Sequence, residues 1–141
     1  CLDRISKFYV IFLSEKNLSP NLFSSKFLNF HLIWNEGIAF GLLSFDQDFY
    51  YNILTILILL ITFLIIYLML KSNGLEKFSY SMIIGGSFGN ITDRLYYSAV
   101  PDFIDIYINN FHWFIFNVAD IFISIGVILL IVLEFFKKKI S

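Results

Sequence analysis

Two carboxylates, Asp102 and Asp120, each sit at the edge of an apolar segment between Gly85 and Asp120. That stretch reads GGSFGNITDR, then VPDFIDIY, then FNVAD, and it also holds Asn90, Asn117 and Arg94. A carboxylate that enters an apolar layer must be paired, neutralised or used. Two carboxylates at close range share one proton: the first ionises readily and the second resists. Such a pair can take a proton from water while giving one to a carbonyl oxygen, and so hydrolyse an amide without a covalent intermediate. Its titration belongs to both groups jointly. A purely structural reading stands beside this one, in which Asp102 caps a strand or turn and Asp120 bridges to Arg94. Asp93 and Asp105 compete for the same role. Asp93 adjoins Arg94 and is expected to position it; Asp105 falls on a hairpin and is expected to be solvated.

Other chemistries find fewer residues. A serine–lysine peptidase needs a lysine near a serine at membrane depth, and Lys7 is the only such lysine. The histidines are His31 and His112 and the one cysteine is Cys1, so no metal cluster is expected and no internal disulfide can form. His31 is read as solvated or interfacial. No glycine-rich loop leads into a nucleotide-site lysine. The net charge of −1 offers no basic stripe for nucleic acid.

The elements that must position these groups are those of a membrane protein. Apolar residues make up 58% of the chain and mean hydropathy is +0.77, against roughly 45–50% apolar in soluble domains. One domain, 1–141, is expected. CLDRISKFYVIFL at 1–13 is shorter than the about 20 residues a span needs, and reads as the second half of a truncated first span. The absence of an initial Met agrees with a fragment or processed chain; a lipidated Cys1 is disfavoured because repeated spans follow. Asp3 and Lys7, at i and i+4, can pair. Ser14–Pro20 is polar and is expected to break the helix. KFLNFHLIW at 26–34 alternates with a period of two and predicts a strand. In NEGIAFGLL at 35–43, Gly37 and Gly41 allow a tight turn and close backbone approach.

Residues 51–70 form an uncharged run and a clear span. A further span starts near Phe78 and reaches Asn90 or a little beyond, with a Gly85–Gly89 spacing suited to close helix approach. A hairpin over 103–116 turns at Asn109-Asn110. A last span runs from about Asn117 to Phe136 and ends in Lys137, Lys138 and Lys139. Lys71, Lys77 and the lysine tail belong on the cytoplasmic side by the positive-inside rule, so the acidic loops at 14–50 and 93–116 face outward. The suspicious polar groups then gather near the outer membrane surface. Asn90 and Arg94 share a helix face, as do Asn117 and Asp120, with Ser124 one turn deeper. Intramembrane acids beside Arg and Asn also mark a small proton-coupled carrier or channel subunit, which is the alternative reading.

LDRISK at 2–7, NEGIAFG at 35–41, GGSFGNITDR at 85–94, VPDF at 100–103 and FNVAD at 116–120 together resemble the lipoprotein signal peptidase (signal peptidase II) family, in order and at similar spacing over nearly the whole chain. The resemblance implies a four-transmembrane-helix bundle with a small β cradle on the outer, periplasmic side, in the bacterial inner membrane. It implies an aspartic endopeptidase that cleaves diacylglyceryl-modified prolipoproteins just before the lipidated cysteine. The catalytic pair falls on Asp102 and Asp120, and supporting roles on Asp3, Lys7, Asn35, Asn90, Arg94 and Asn117. The small residues Gly37 and Ala39 would leave room for substrate. No metal or organic cofactor is implied; membrane lipids and globomycin-type inhibitors are expected partners, and a monomer is expected. The chain departs from the family at Arg4, where glutamine is commoner, and Pro101 precedes the first catalytic aspartate.

Overall fold

The computed structural model describes residues 1–37, 47–108 and 111–140. Helix α1 covers Leu2–Asn17. It contains neither Gly nor Pro and runs through the polar Ser14–Asn17, where the sequence had suggested a break. Polarity does not stop a helix; Ser14, Glu15 and Lys16 all tolerate one. The stop comes at Leu18, whose left-handed backbone (φ 49°) turns its N–H back onto the carbonyls of Glu15 and Ser14. Pro20 follows and cannot rejoin the ladder.

Strands β1 (Asn21–Ser24) and β2 (Leu28–Asn35) come next. β1 has four residues, too few for its alternation to be legible in sequence. Helices α2 (Gln47–Lys71) and α3 (Gly74–Tyr97) follow, then β3 (Val100–Ile108), β4 (Phe111–Phe116) and α4 (Val118–Ile140). The strands form one antiparallel sheet in the order β1-β2-β3-β4. Leu32 and Phe103 on its inner face bury against Val10 of α1, with Leu22, Phe30 and Val118 around them. That contact fixes the sheet against α1 and the start of α4. The β2–β3 register sets Ile33 opposite Asp102 and Asn35 opposite Val100.

Two of the described helices, Tyr51–Lys71 and Val118–Lys137, are long and apolar enough to cross a bilayer, with hydropathies of 3.1 and 2.5. Only 11% of each window is buried within the chain. Their apolar side chains therefore face outward, as in lipid, and do not form the core of a soluble domain. α1 has 16 residues. α3 starts earlier and ends later than its apolar run suggests, stopping at Ser98 in the left-handed region (φ 54°).

α3 and α4 pack closely through glycine. A methyl at Gly86 would lie 2.5 Å from the Ala119 carbonyl oxygen, and one at Gly126 2.7 Å from that of Ser79. Of the expected Gly85–Gly89 pair, Gly89 makes a close approach, where a methyl would lie 2.6 Å from Oδ2 of Asp3 and 3.4 Å from Cβ of Ala119, while Gly85 meets nothing within 4 Å and Gly86 takes its place against α4. A helix presents its faces at 100° intervals, and one position changes which glycine meets the neighbour. Lys137, near the end of α4, pairs with Glu76 in the first turn of α3. The lysine-rich end thus lies at the far end of α3 from the sheet, about 27 Å along the helix from Arg94 at 1.5 Å per residue.

Candidate active site

Asn117 is the last residue before α4, and Asp120 stands in its first turn. The two cap each other. The Asn117 backbone N–H donates to Oδ2 of Asp120 at 3.1 Å, and the Asp120 N–H donates to Oδ1 of Asn117 at 3.1 Å. This reciprocal cap satisfies two of the N–H groups at the helix start and keeps a carboxylate at its positive end. Oδ1 of Asp3 accepts from the Ala119 N–H at 3.0 Å at the same helix end.

Asn117 is fully buried, and its Nδ2 donates to Oδ1 of Asp102 at 2.6 Å. One residue therefore ties both acids together, by side chain to Asp102 and by backbone to Asp120. Across the sheet, Nδ2 of Asn35 donates to Oδ2 of Asp102 at 2.8 Å. From α3, Nδ2 of Asn90 donates to Oδ1 of Asp120 at 2.8 Å.

The amide orientations follow from their other partners. Oδ1 of Asn90 faces the Lys7 ammonium at 2.8 Å, Oδ1 of Asn35 faces the Gly37 N–H at 2.8 Å, and Oδ1 of Asn117 faces the Asp120 N–H. Each of those partners can only donate, so each amide must turn its oxygen there and its NH2 toward a carboxylate. All four carboxylate oxygens thereby receive an N–H. Asp102 is 4% exposed. Burial pushes its carboxyl above the usual carboxylate range, the bonds from Asn35 and Asn117 oppose that rise, and the charge of Asp120 adds to it.

Beneath the acids lies a cluster of four charges. Lys7, 2% exposed, pairs with Asp3 at 3.0 Å and Asp93 at 2.6 Å. Arg4 pairs with Asp3 at 3.0 Å and Asp93 at 2.6 Å, and donates to the Gly89 carbonyl at 3.2 Å. Asp93 thus faces α1 and is fully buried; the expectation that it positions Arg94 is corrected, because adjacent helix residues point about 100° apart. Arg4 was legible only as a departure from the family, although its i, i+3 spacing from Lys7 puts both cations on one helix face.

Asn90 and Arg94 lie one turn apart but serve different partners. The Arg94 guanidinium lies over the Tyr51 ring, 5.6 Å from its centroid, and beside Gly37. Gly37 has φ +78°, and a methyl there would fall 2.9 Å from Nη1 of Arg94, so the expected close approach is made to this side chain. No ion pair joins Asp120 to Arg94 among the described residues. Asp105, expected to be solvated, is 4% exposed and accepts from Nδ2 of Asn29 at 3.2 Å. It lies mid-strand, and the neighbouring strands cover it. Ser124 is exposed. Ala39, Gly41 and the Asn109-Asn110 turn lie outside the described residues.

The fold is that of bacterial membrane enzymes. One solved bacterial membrane enzyme superposes with a TM-score of 0.74 at 32% identity, covering 97% of this chain and 82% of its own. A second superposes with a TM-score of 0.68 at 30% identity, covering 90% and 87%. The family described as signal peptidase (SPase) II matches residues 1–136, and the chain belongs to that family of proteases. It is 52% identical over 138 residues to a lipoprotein signal peptidase of Pelagibacter ubique (strain HTCC1062), covering 97% of this chain and 83% of that protein. It is 43% identical over 121 residues to that of Francisella tularensis subsp. novicida (strain U112), covering 83% and 75%. For Aquifex aeolicus (strain VF5) the identity is 40% over 139 residues, covering 92% and 82%. These relatives leave the carrier reading without support.

Proposed function

We propose that the chain is an aspartic endopeptidase of the bacterial inner membrane, and that Asp102 and Asp120 are its catalytic pair. The observation that carries this reading is Asn117, which bonds both carboxylates at once. The name lipoprotein signal peptidase, carried by the relatives, supports a prolipoprotein substrate; in this reading it bears a diacylglyceryl group and is cut just before its lipidated cysteine. The architecture is multi-pass, with α1, α2, α3 and α4 crossing the membrane and the sheet on the periplasmic side. The lysines at the far ends of α3 and α4 support that orientation. The chain acts as a monomer and is blocked by globomycin-type cyclic peptides.

Asp120, at the positive end of α4, holds the negative charge, and Asp102, buried, keeps the proton. A water between them gives a proton to Asp120 as its oxygen attacks the scissile carbonyl carbon. Asp102 delivers its proton to the carbonyl oxygen, which leaves a neutral diol. Collapse returns the diol proton to Asp102, and Asp120 passes its proton to the departing amine. The acids end as they began. Asn35, Asn90 and Asn117 hold the carboxylates; Asp3 and Lys7 hold α1 against α3 and α4. Gly37 and Arg94 stand at the edge as substrate contacts.

The test is cleavage of a lipidated precursor by the full chain and by Asp102→Asn and Asp120→Asn, with and without globomycin. Both variants should stay folded by circular dichroism and lose cleavage. Retained, globomycin-sensitive cleavage by either variant overturns the assignment.

A further inference from the structure

Arg94 is held by contacts that its proposed role does not by itself explain. Its Nε and Nη1 are buried and meet no hydrogen-bond partner among the described residues. Leaving a charged donor buried and unpaired is costly. A sequence keeps such a group when an acceptor arrives from outside. Beside the guanidinium lies the bare backbone of Gly37, where a methyl would strike both Nη1 of Arg94 and Cδ2 of Leu54 at 2.9 Å. Its Cζ also lies 5.6 Å from the centroid of the Tyr51 ring, a residue 9% exposed and one helical turn before Leu54 on α2. The Tyr51 hydroxyl reaches the Arg94 carbonyl only at 3.4 Å. The ring lies at a range where a guanidinium is attracted to an aromatic face.

We propose that Tyr51 is a positioning residue for substrate binding: its ring, with the Gly37 backbone close by, sets the orientation of the Arg94 guanidinium, whose unpartnered Nε–H and Nη1–H then meet oxygen acceptors on the lipid-modified substrate. The inference rests on the peptidase reading and deepens it. A guanidinium is planar and always charged, and it offers its donors in a fixed fork. Setting its orientation removes rotamer freedom before substrate arrives, so the cost of ordering it is not taken from binding. The chemistry that fits is separate carbonyl or ester oxygens rather than a cation or an apolar chain. Tyr51 touches neither acid in this scheme, so its loss acts on binding and leaves the chemical step intact.

The experiment measures KM and kcat separately for a lipidated precursor in detergent micelles. Tyr51→Leu should raise KM about fivefold, as for a cation–ring contact, while kcat stays within about twofold. Tyr51→Phe keeps the ring and should restore KM toward that of the parent chain. Pentafluorophenylalanine at position 51 keeps the shape and reverses the ring's charge distribution; it should raise KM as leucine does. If the leucine variant does not fold, this substitution carries the test alone. Arg94→Ala should raise KM by at least as much, and adding Tyr51→Leu to it should change nothing further. An unchanged KM for the fluorinated ring, with KM raised by Arg94→Ala, overturns the role given to Tyr51. A fall in kcat at constant KM in the Tyr51 variants also overturns it. An unchanged KM in Arg94→Ala overturns the substrate contact itself.

Discussion

Lys7 reaches Oδ1 of Asn90 at 2.8 Å, and this one contact decides which end of the amide faces Asp120. An ammonium can only donate, so the Asn90 oxygen turns to Lys7 and its NH2 turns to the carboxylate 2.8 Å away. A residue on α1 thereby governs an acid on α4 without touching it.

Asn90→Asp should reverse that arrangement. It sets a carboxylate oxygen against Oδ1 of Asp120 in place of a donor. Cleavage at neutral pH should fall by about 100-fold, the usual loss for one positioned donor. Lowering the pH should recover part of it, because a protonated carboxyl can donate where the amide did. A pH–rate profile parallel to that of the parent chain would contradict the orientation argument.

Lys7→Met should destabilise the fold by about 3–5 kcal/mol, because Asp3 and Asp93 stay buried with part of their counter-charge removed. Arg4→Gln should cost less, since the Arg4 side chain is 31% exposed and a glutamine amide can still donate to the buried carboxylates of Asp3 and Asp93. Denaturant unfolding in micelles separates the two. Equal losses would mean that the cluster does not distinguish its cations.

Gly86→Ala and Gly85→Ala form a matched pair. The first drives a methyl into the Ala119 carbonyl and Ile123, and should cost about 1–3 kcal/mol as α3 and α4 separate. The second meets open space and should be neutral or stabilising by up to about 1 kcal/mol through helix propensity. Thermal melts of the two variants decide it; similar melting points would remove Gly86 from the interface.

The raised pKa of Asp102 has a definite sign in stability. Burial lifts it above the unfolded value. Between the two values the native chain holds a proton that the unfolded chain has released. This contribution is therefore full below the unfolded pKa and is lost as pH rises through the folded one. Asp102→Asn does not titrate, so the parent chain should lose stability relative to this variant across that window. A difference independent of pH would contradict the burial effect.

Local order was readable from the chain because it depends on spacing alone. The uncharged run at 51–70, the alternation over 26–34, the Asp3–Lys7 pair and the shared face of Asn117 and Asp120 all follow from helical or strand pitch. Each corresponds to an element or contact in the structure. The first helix outlasts its apolar stretch because Leu18 and Pro20, not polarity, end it.

What spacing could not settle is which faces of distant elements meet. Asn35 reaches Asp102 only through the β2–β3 register, and a shift of one residue would turn it to the other face. Asp105 is buried because strands on both sides cover it, and Asp93 meets Arg4 and Lys7 because α3 presents that side to α1. Gly86 rather than Gly85 meets α4 by one step of helix rotation. The amino-acid order determined the elements and the groups they carry, since hydrophobic period and capping act within a few residues. Packing alone decided the pairing of carboxylates with amides and cations, since those bonds join segments whose separation along the chain contains no record of their distance in space.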